Sequence, residues 1–205
     1  MIPSRILSAL TVAAAVAAAT GASGCARKVC DDAEPVLAVF DSGGHRELAL
    51  RPTADARLAL CDAANLHIGD LTDDKERVVL RDLAGTEQAS MRRGPDPGDS
   101  LLARSSGALR LHEDNGLIRV LDSQGVPLAQ LGIDPAGGRA LVYSPGGSPI
   151  AFADRAGDRR AIHSADGAVT HLVTGVAHDR AAAAFAVDAL SIGERAVVAR
   201  WLDRP

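Results

Sequence analysis

Aromatic residues are scarce in this 205-residue chain: three Phe, one Tyr and one Trp. So few rings leave little from which to build sugar-stacking or base-stacking platforms, and the core has to come from Leu, Val, Ile and Ala. Basic charge is not in excess either. Lys and Arg number 22 against 26 Asp and Glu, a net charge of −4. A nucleic-acid binder needs a basic patch, so this balance argues against one. Lysine is nearly missing, with only Lys28 and Lys75; together with abundant Ala this reads as the coding bias of a GC-rich genome. There is no HExxH, no cysteine pair at zinc spacing, no GxSxG elbow, no Walker loop and no GxGxxG after a strand. These absences leave no catalytic, cofactor or metal residue to name, and no cofactor is expected.

What is present begins at the front. Arg5 gives a short basic start, Ile6 to Ala19 is apolar, and Gly21-Ala22-Ser23-Gly24-Cys25 follows. A basic region, an apolar stretch and small residues before a cut describe a secretory signal over residues 1–24. The stretch is short of the roughly 20 apolar residues that span a bilayer. Ala22-Ser23-Gly24-Cys25 resembles the bacterial lipoprotein box, in which Leu is the usual residue where Ala22 stands. That resemblance implies a diacylglyceryl thioether on Cys25 and an acylated new N-terminus. Two or three acyl chains anchor firmly where one is marginal. Ala26, not Asp, follows the cysteine, which in the best-known sorting pattern points to the outer membrane. The expected location is therefore the cell envelope, lipid-anchored, facing periplasm or surface. The alternative is a plain secretory signal with Cys25 an ordinary thiol.

Cys30 and Cys61 remain. An oxidising compartment favours a bridge between them; closing a loop of about 31 residues would contribute roughly 3–4 kcal/mol. The alternative is two buried free thiols.

Residues 25–34 read as a polar tether and 35–205 as one β-rich domain. From Pro35 the chain is a series of short apolar runs, among them Val36–Phe40, Arg57–Cys61, Leu117–Leu121 and Leu128–Ile133, broken by Asp/Gly/Asn/Pro turns. Asp opens such turns because its carboxylate bonds the backbone further on, and Gly closes them because it accepts positive φ. Leu109 and Leu111 alternate with Arg110 and His112, the pattern of one buried and one wet face. Short strands with a turn every 8–13 residues signal an antiparallel all-β domain. The turn spacing looks irregular, which argues against a propeller or solenoid. Arg92–Ser100, with Pro95 and Pro97, reads as a mobile loop.

The C-terminus changes character. Asp179 would cap a helix over about 180–190, and Ala181-Ala182-Ala183-Ala184-Phe185-Ala186-Val187 is apolar on every side. A helix without a wet face must be buried. Ser191 and Glu194 fit a capping box for a second helix over about 192–202, with Val197, Val198 and Trp201 on one stripe.

Strand–Asp/Gly-turn–strand units from Asp114 to Val173, followed by the apolar Ala181–Leu190 helix, resemble the tubby-like fold of tubby C-terminal domains, LURP-one proteins and phospholipid scramblases. The resemblance implies an antiparallel β-barrel of about twelve strands enclosing an apolar helix. It transfers no catalytic site, and members that bind phosphoinositides do so through a basic pocket with no clear counterpart here. The alternative is an α+β sheet with its helices packed on one face.

Six histidines are scattered. A two-residue Asp166-Gly167 turn would place His163 opposite Thr170 and Ile162 opposite His171, so His163 and His171 would share no metal. Asp70, Asp73, Asp74 and Glu76 form the densest acidic cluster, which turn chemistry explains without calcium. The functional expectation is a non-enzymatic binding or structural module whose partners are the membrane, through the anchor, and an envelope protein or phospholipid. The alternatives are an envelope lipid-handling protein and a hydrolase whose site the motifs do not reveal.

Overall fold

A meander of short strands leaves two bare edges unless it closes on itself, and here it closes. The computed structural model describes residues 29–134 and 138–204; residues 1–24, read above as a secretory signal, and Cys25 lie outside the described residues. Fourteen strands follow one another: β1 Leu37–Asp41, β2 Arg46–Pro52, β3 Leu58–Asp62, β4 His67–Asp73, β5 Arg77–Arg81, β6 Glu87–Arg93 and β7 Asp99–Arg104. Then come β8 Gly107–Asp114, β9 Leu117–Leu121, β10 Pro127–Ile133, β11 Ala140–Tyr143, β12 Pro149–Ala156, β13 Arg159–Ser164 and β14 Val169–Thr174. Each pairs antiparallel with its neighbours in sequence, and β1 pairs with β14 to seal an antiparallel β-barrel. The strands number fourteen where the resemblance implied about twelve. The strands with the least apolar sequence are β4 and β6, where Leu71 and Met91 enter the core beside Gly69 and Ala89 and most other positions are polar.

The connections at one end of the barrel, the lower mouth, are nearly uniform. Six of them start at Asp41, Asp62, Asp82, Asp122, Ser144 and Ser164. In each, the first residue exchanges backbone hydrogen bonds with the residues three and four positions on, and the fourth residue has positive φ: Gly44, Asn65, Gly85, Gly125, Gly147 and Gly167. The Asp41, Asp62, Asp82 and Asp122 carboxylates accept from backbone N–H groups of their own turns at 2.8–2.9 Å. Each turn also leaves the same register slip in its hairpin, as between Phe40↔Arg46 and Tyr143↔Pro149. The chain is thus a hairpin repeat of roughly 20 residues, which corrects the irregular spacing read from the sequence. The regularity is hidden there because the connections at the other end, the upper mouth, differ in length and chemistry. The 93–99 connection is one of these. It is a tight turn between β6 and β7, with Gly94 N–H bonded to Asp99 O and Asp99 N–H to Asp96 O, not the longer loop expected over Arg92–Ser100.

The lumen is filled by the chain's own C-terminus. From β14 the chain turns inward at the upper mouth, where Gly175 (φ 77°) lies so close to Val36 that a Cβ would fall 1.9 Å from the Val36 carbonyl oxygen. Helix α1 (Asp179–Ala183) and a 3-10 turn (Ala184–Ala186) run down. Helix α2 (Ile192–Leu202) returns. Ala181 to Ala184 are fully buried and pack against β10–β13, whose inward residues include Ala129, Ala140, Ala151 and Ala153. Small side chains on both surfaces let the helix approach closely. Along α2, Ala196, Val197, Val198 and Ala199 are each 0% exposed. Residues about 100° apart around a helix cannot all be hidden against one sheet face, so the helix is enclosed. This excludes the α+β alternative and corrects the single Val197–Val198–Trp201 stripe. The first helix is also shorter than the 180–190 span. His178, not Asp179, is its N-cap, and Asp179 pairs with Arg160. The Ser191–Glu194 capping box is present. The Arg195 guanidinium ties the hairpin's lower bend, donating to the carbonyls of Leu190 (2.9 Å) and Phe185 (2.7 Å).

The N-terminal segment lies on the outer wall. Val29 forms a β-bridge with Leu66 and Cys30 N–H donates to Asn65 O, both at the lower mouth. A disulfide joins Cys30 to Cys61 of β3. The segment then climbs the wall, Ala33 O accepting from Arg51, and enters β1 at the upper mouth. It covers Ala38, Ala49, Ala59 and Cys61, which form a small buried cluster with Cys30. Residues 29–34 are therefore strapped to the domain and do not hang from it as a free tether.

Candidate functional site

The lumen is occupied by the C-terminal helices, and at the upper mouth the surface carries an open cleft of about 1070 Å³. Three parts of the chain that are distant in sequence build it: the β4–β5 turn, the Gly94-Pro95-Asp96-Pro97-Gly98 turn and the end of α2.

The helix end is held by carboxylates. Asp73, the last residue of β4, accepts from Arg200 at 2.8 Å and also from Arg204. The Arg204 guanidinium lies 4.3 Å from the Trp201 ring, a cation–π contact, and the indole N–H donates to Ser100 Oγ at 2.9 Å. Asp203 closes the hairpin by accepting from the N–H groups of Ala177 (2.7 Å) and His178 (3.0 Å), which serves the start of α1. Asp74 accepts from the N–H groups of Arg77 and Glu76 in the β4–β5 turn, and those bonds, Arg77 first, hold its carboxyl below the usual carboxylate range. The densest acidic cluster of the sequence is therefore spent on structure. Asp73 binds arginines, Asp74 binds its own turn, and Asp70 contacts His67 at 3.0 Å.

Asp99 is the most buried carboxylate of the cleft. It meets His112 Nδ1 at 2.6 Å and lies 3.7 Å from Arg110. A buried Asp behind an imidazole is part of what a hydrolase requires. Ser100 is adjacent but its oxygen is engaged by Trp201, and among the described residues no hydroxyl hydrogen-bonds to His112. Lys75 and Arg93 form no ion pair among the described residues, so the cleft offers two free cations beside its paired ones.

His163 and His171 fall at different carboxylates, Asp154 (3.1 Å) and Glu47 (3.4 Å), and His163 also stacks on Phe152. Ile162 does pair with His171, but a register slip sets His163 opposite Val169 and not Thr170. Among the described residues no three His, Cys, Asp or Glu side chains are arranged to hold a metal, and no helix is long and apolar enough to cross a membrane.

Sequence reasoning named none of the cleft residues as a site. Asp73 and Arg200 are 127 residues apart, and nothing local marks either as the other's partner. No family model and no curated protein matches the chain. Among solved structures, a protein from Arabidopsis thaliana is similar at 12% identity with a TM-score of 0.40, over 87% of this chain and 99% of that one.

Proposed function

We propose that the chain is a lipid-anchored protein of the cell envelope whose barrel is a non-enzymatic binding module, presenting the upper-mouth cleft to an envelope partner. The observation that carries this reading is where the chain leaves the barrel. Val29 and Cys30 are fastened at the lower mouth, so an acyl anchor on Cys25 would hold that mouth towards the membrane and turn the cleft away from it. The wall agrees with a barrel resting at a bilayer and not within it. Its strands are apolar inside and polar outside, as with Leu109 and Leu111 against Arg110, the reverse of a lipid-facing barrel. The filled lumen supports a surface-binding role over carriage of a lipid inside the barrel.

The test is the mass of the N-terminal peptide together with cell fractionation. An acylated Cys25 and recovery in the membrane fraction are expected, with Cys25→Ala moving the folded protein to the soluble fraction. An unmodified N-terminus on a membrane-free wild-type protein refutes the proposal. Stable retention of the Cys25→Ala form on phospholipid vesicles would favour lipid handling instead.

A further inference from the structure

Among the described residues, the lower mouth carries most of the large apolar side chains that the fold leaves in water. Val29, Leu83, Val126, Ile150, Val169 and Ile192 are between 38% and 60% exposed. Each belongs to that mouth: Val29 by its bridge to Leu66, Leu83 and Val126 in hairpin turns, Ile150 and Val169 near the starts of β12 and β14, and Ile192 at the first turn of α2. Among the described residues the upper mouth has two, Val36 and Ile133. Singly, such residues are ordinary. Their concentration around one rim, at the place where the N-terminal segment leaves the barrel, is not explained by packing within the chain.

We infer that this rim docks onto the leaflet that holds the Cys25 acyl chains, its apolar tips entering the headgroup layer. The inference rests on the lipid-anchor reading. Cys25 is four residues before Val29, and at about 3.3–3.6 Å per residue the acylated cysteine lies no more than about 14 Å from the bridge at Leu66. A tether that short holds the rim at high effective concentration against the surface, so contacts too weak to bind alone become occupied. The turn carboxylates of Asp82 and Asp122 point back to their own N–H groups and leave Leu83 and Val126 at the tips. Asp82, Asp122 and Asp166 nonetheless put negative charge on the rim, which suits zwitterionic headgroups and opposes an anionic leaflet.

The acylated full-length protein has no free thiol once Cys30 and Cys61 are bridged, so one introduced cysteine can carry a fluorophore. Ser123→Cys places it at the lower mouth and Asp158→Cys at the upper. On phosphatidylethanolamine–phosphatidylcholine vesicles containing headgroup spin-labelled lipid, quenching at 123 is expected to exceed quenching at 158 at least threefold. Leu83→Asp with Val126→Asp should bring the signal at 123 down to that at 158 while the protein stays on the vesicles. Equal quenching at both positions, or stronger quenching at 158, in protein whose acylation is verified by mass, overturns the docking and leaves the anchor standing. An unacylated Cys25 overturns both.

Discussion

Replacing Ala196, Val197, Val198 and Ala199 one at a time by Asp asks whether α2 has a wet side anywhere. The four positions cover the helix circumference and each is fully buried. Deep burial raises a carboxyl pKa by as much as about 3–5, and at about 1.36 kcal/mol for each an Asp there would cost about 4–7 kcal/mol at neutral pH. At Val197 and Val198, loss of the buried side chain adds about 1.5–3 kcal/mol. A domain of this kind has about 5–15 kcal/mol in all. With a urea slope of about 2 kcal/mol per M, every variant should lose about 2 M or more from its unfolding midpoint, followed by far-UV circular dichroism, or fail to fold. Phe185→Asp, 1% exposed in the 3-10 turn, should behave in the same way. Helices lying on an open sheet would let at least one α2 position tolerate the charge. A single variant among the four with a wild-type midpoint would therefore refute enclosure.

Gly175→Ala meets both positive φ and the Val36 carbonyl oxygen, whereas Gly147→Ala meets positive φ in open space. The first should lower the melting temperature by several degrees more than the second, and equal shifts would show that the crossing of β14 over β1 is not tight. Reduction of Cys30–Cys61, or Cys30→Ala with Cys61→Ala, frees a 31-residue separation and should remove roughly 3–4 kcal/mol, read as a urea midpoint; an unchanged midpoint refutes the strap's contribution. The carboxyls of Asp41, Asp74 and Asp166 are held below their ordinary value of 3.8, chiefly by the His45 N–H, the Arg77 N–H and the Ser164 hydroxyl respectively. A depressed folded pKa stabilises the fold above the unfolded value, and that stabilisation is lost as pH falls through the folded ones. The urea midpoint should be flat from about pH 7 to 5 and fall below about pH 4, less steeply in Asp41→Asn/Asp74→Asn. A midpoint that rises on acidification below pH 4 contradicts the turn chemistry.

Much of the scaffold could be read from neighbouring residues. An Asp or Ser three positions before a Gly or Asn closes a turn through atoms only a few residues apart. Ser191 and Glu194 complete their box within one helical turn, and an all-apolar Ala181–Val187 stretch requires shelter wherever it lies. Strands β4 and β6 are poorly marked in the sequence because Gly69-Asp70 and Glu87-Gln88-Ala89-Ser90 carry little local apolar signal. Each still places one large side chain in the core, Leu71 and Met91.

The sequence by itself determined the class of fold, since turn chemistry and burial of an oily helix are short-range demands that any arrangement must meet. Only the tertiary structure decided that both C-terminal helices share the lumen, that Asp73 holds Arg200 and Arg204, that Asp99 is buried against His112, and that the N-terminal segment leaves at the mouth opposite the cleft. Those outcomes depend on closure of the barrel. Closure brings together residues about a hundred positions apart, and the chain carries no local mark of which mouth each will reach.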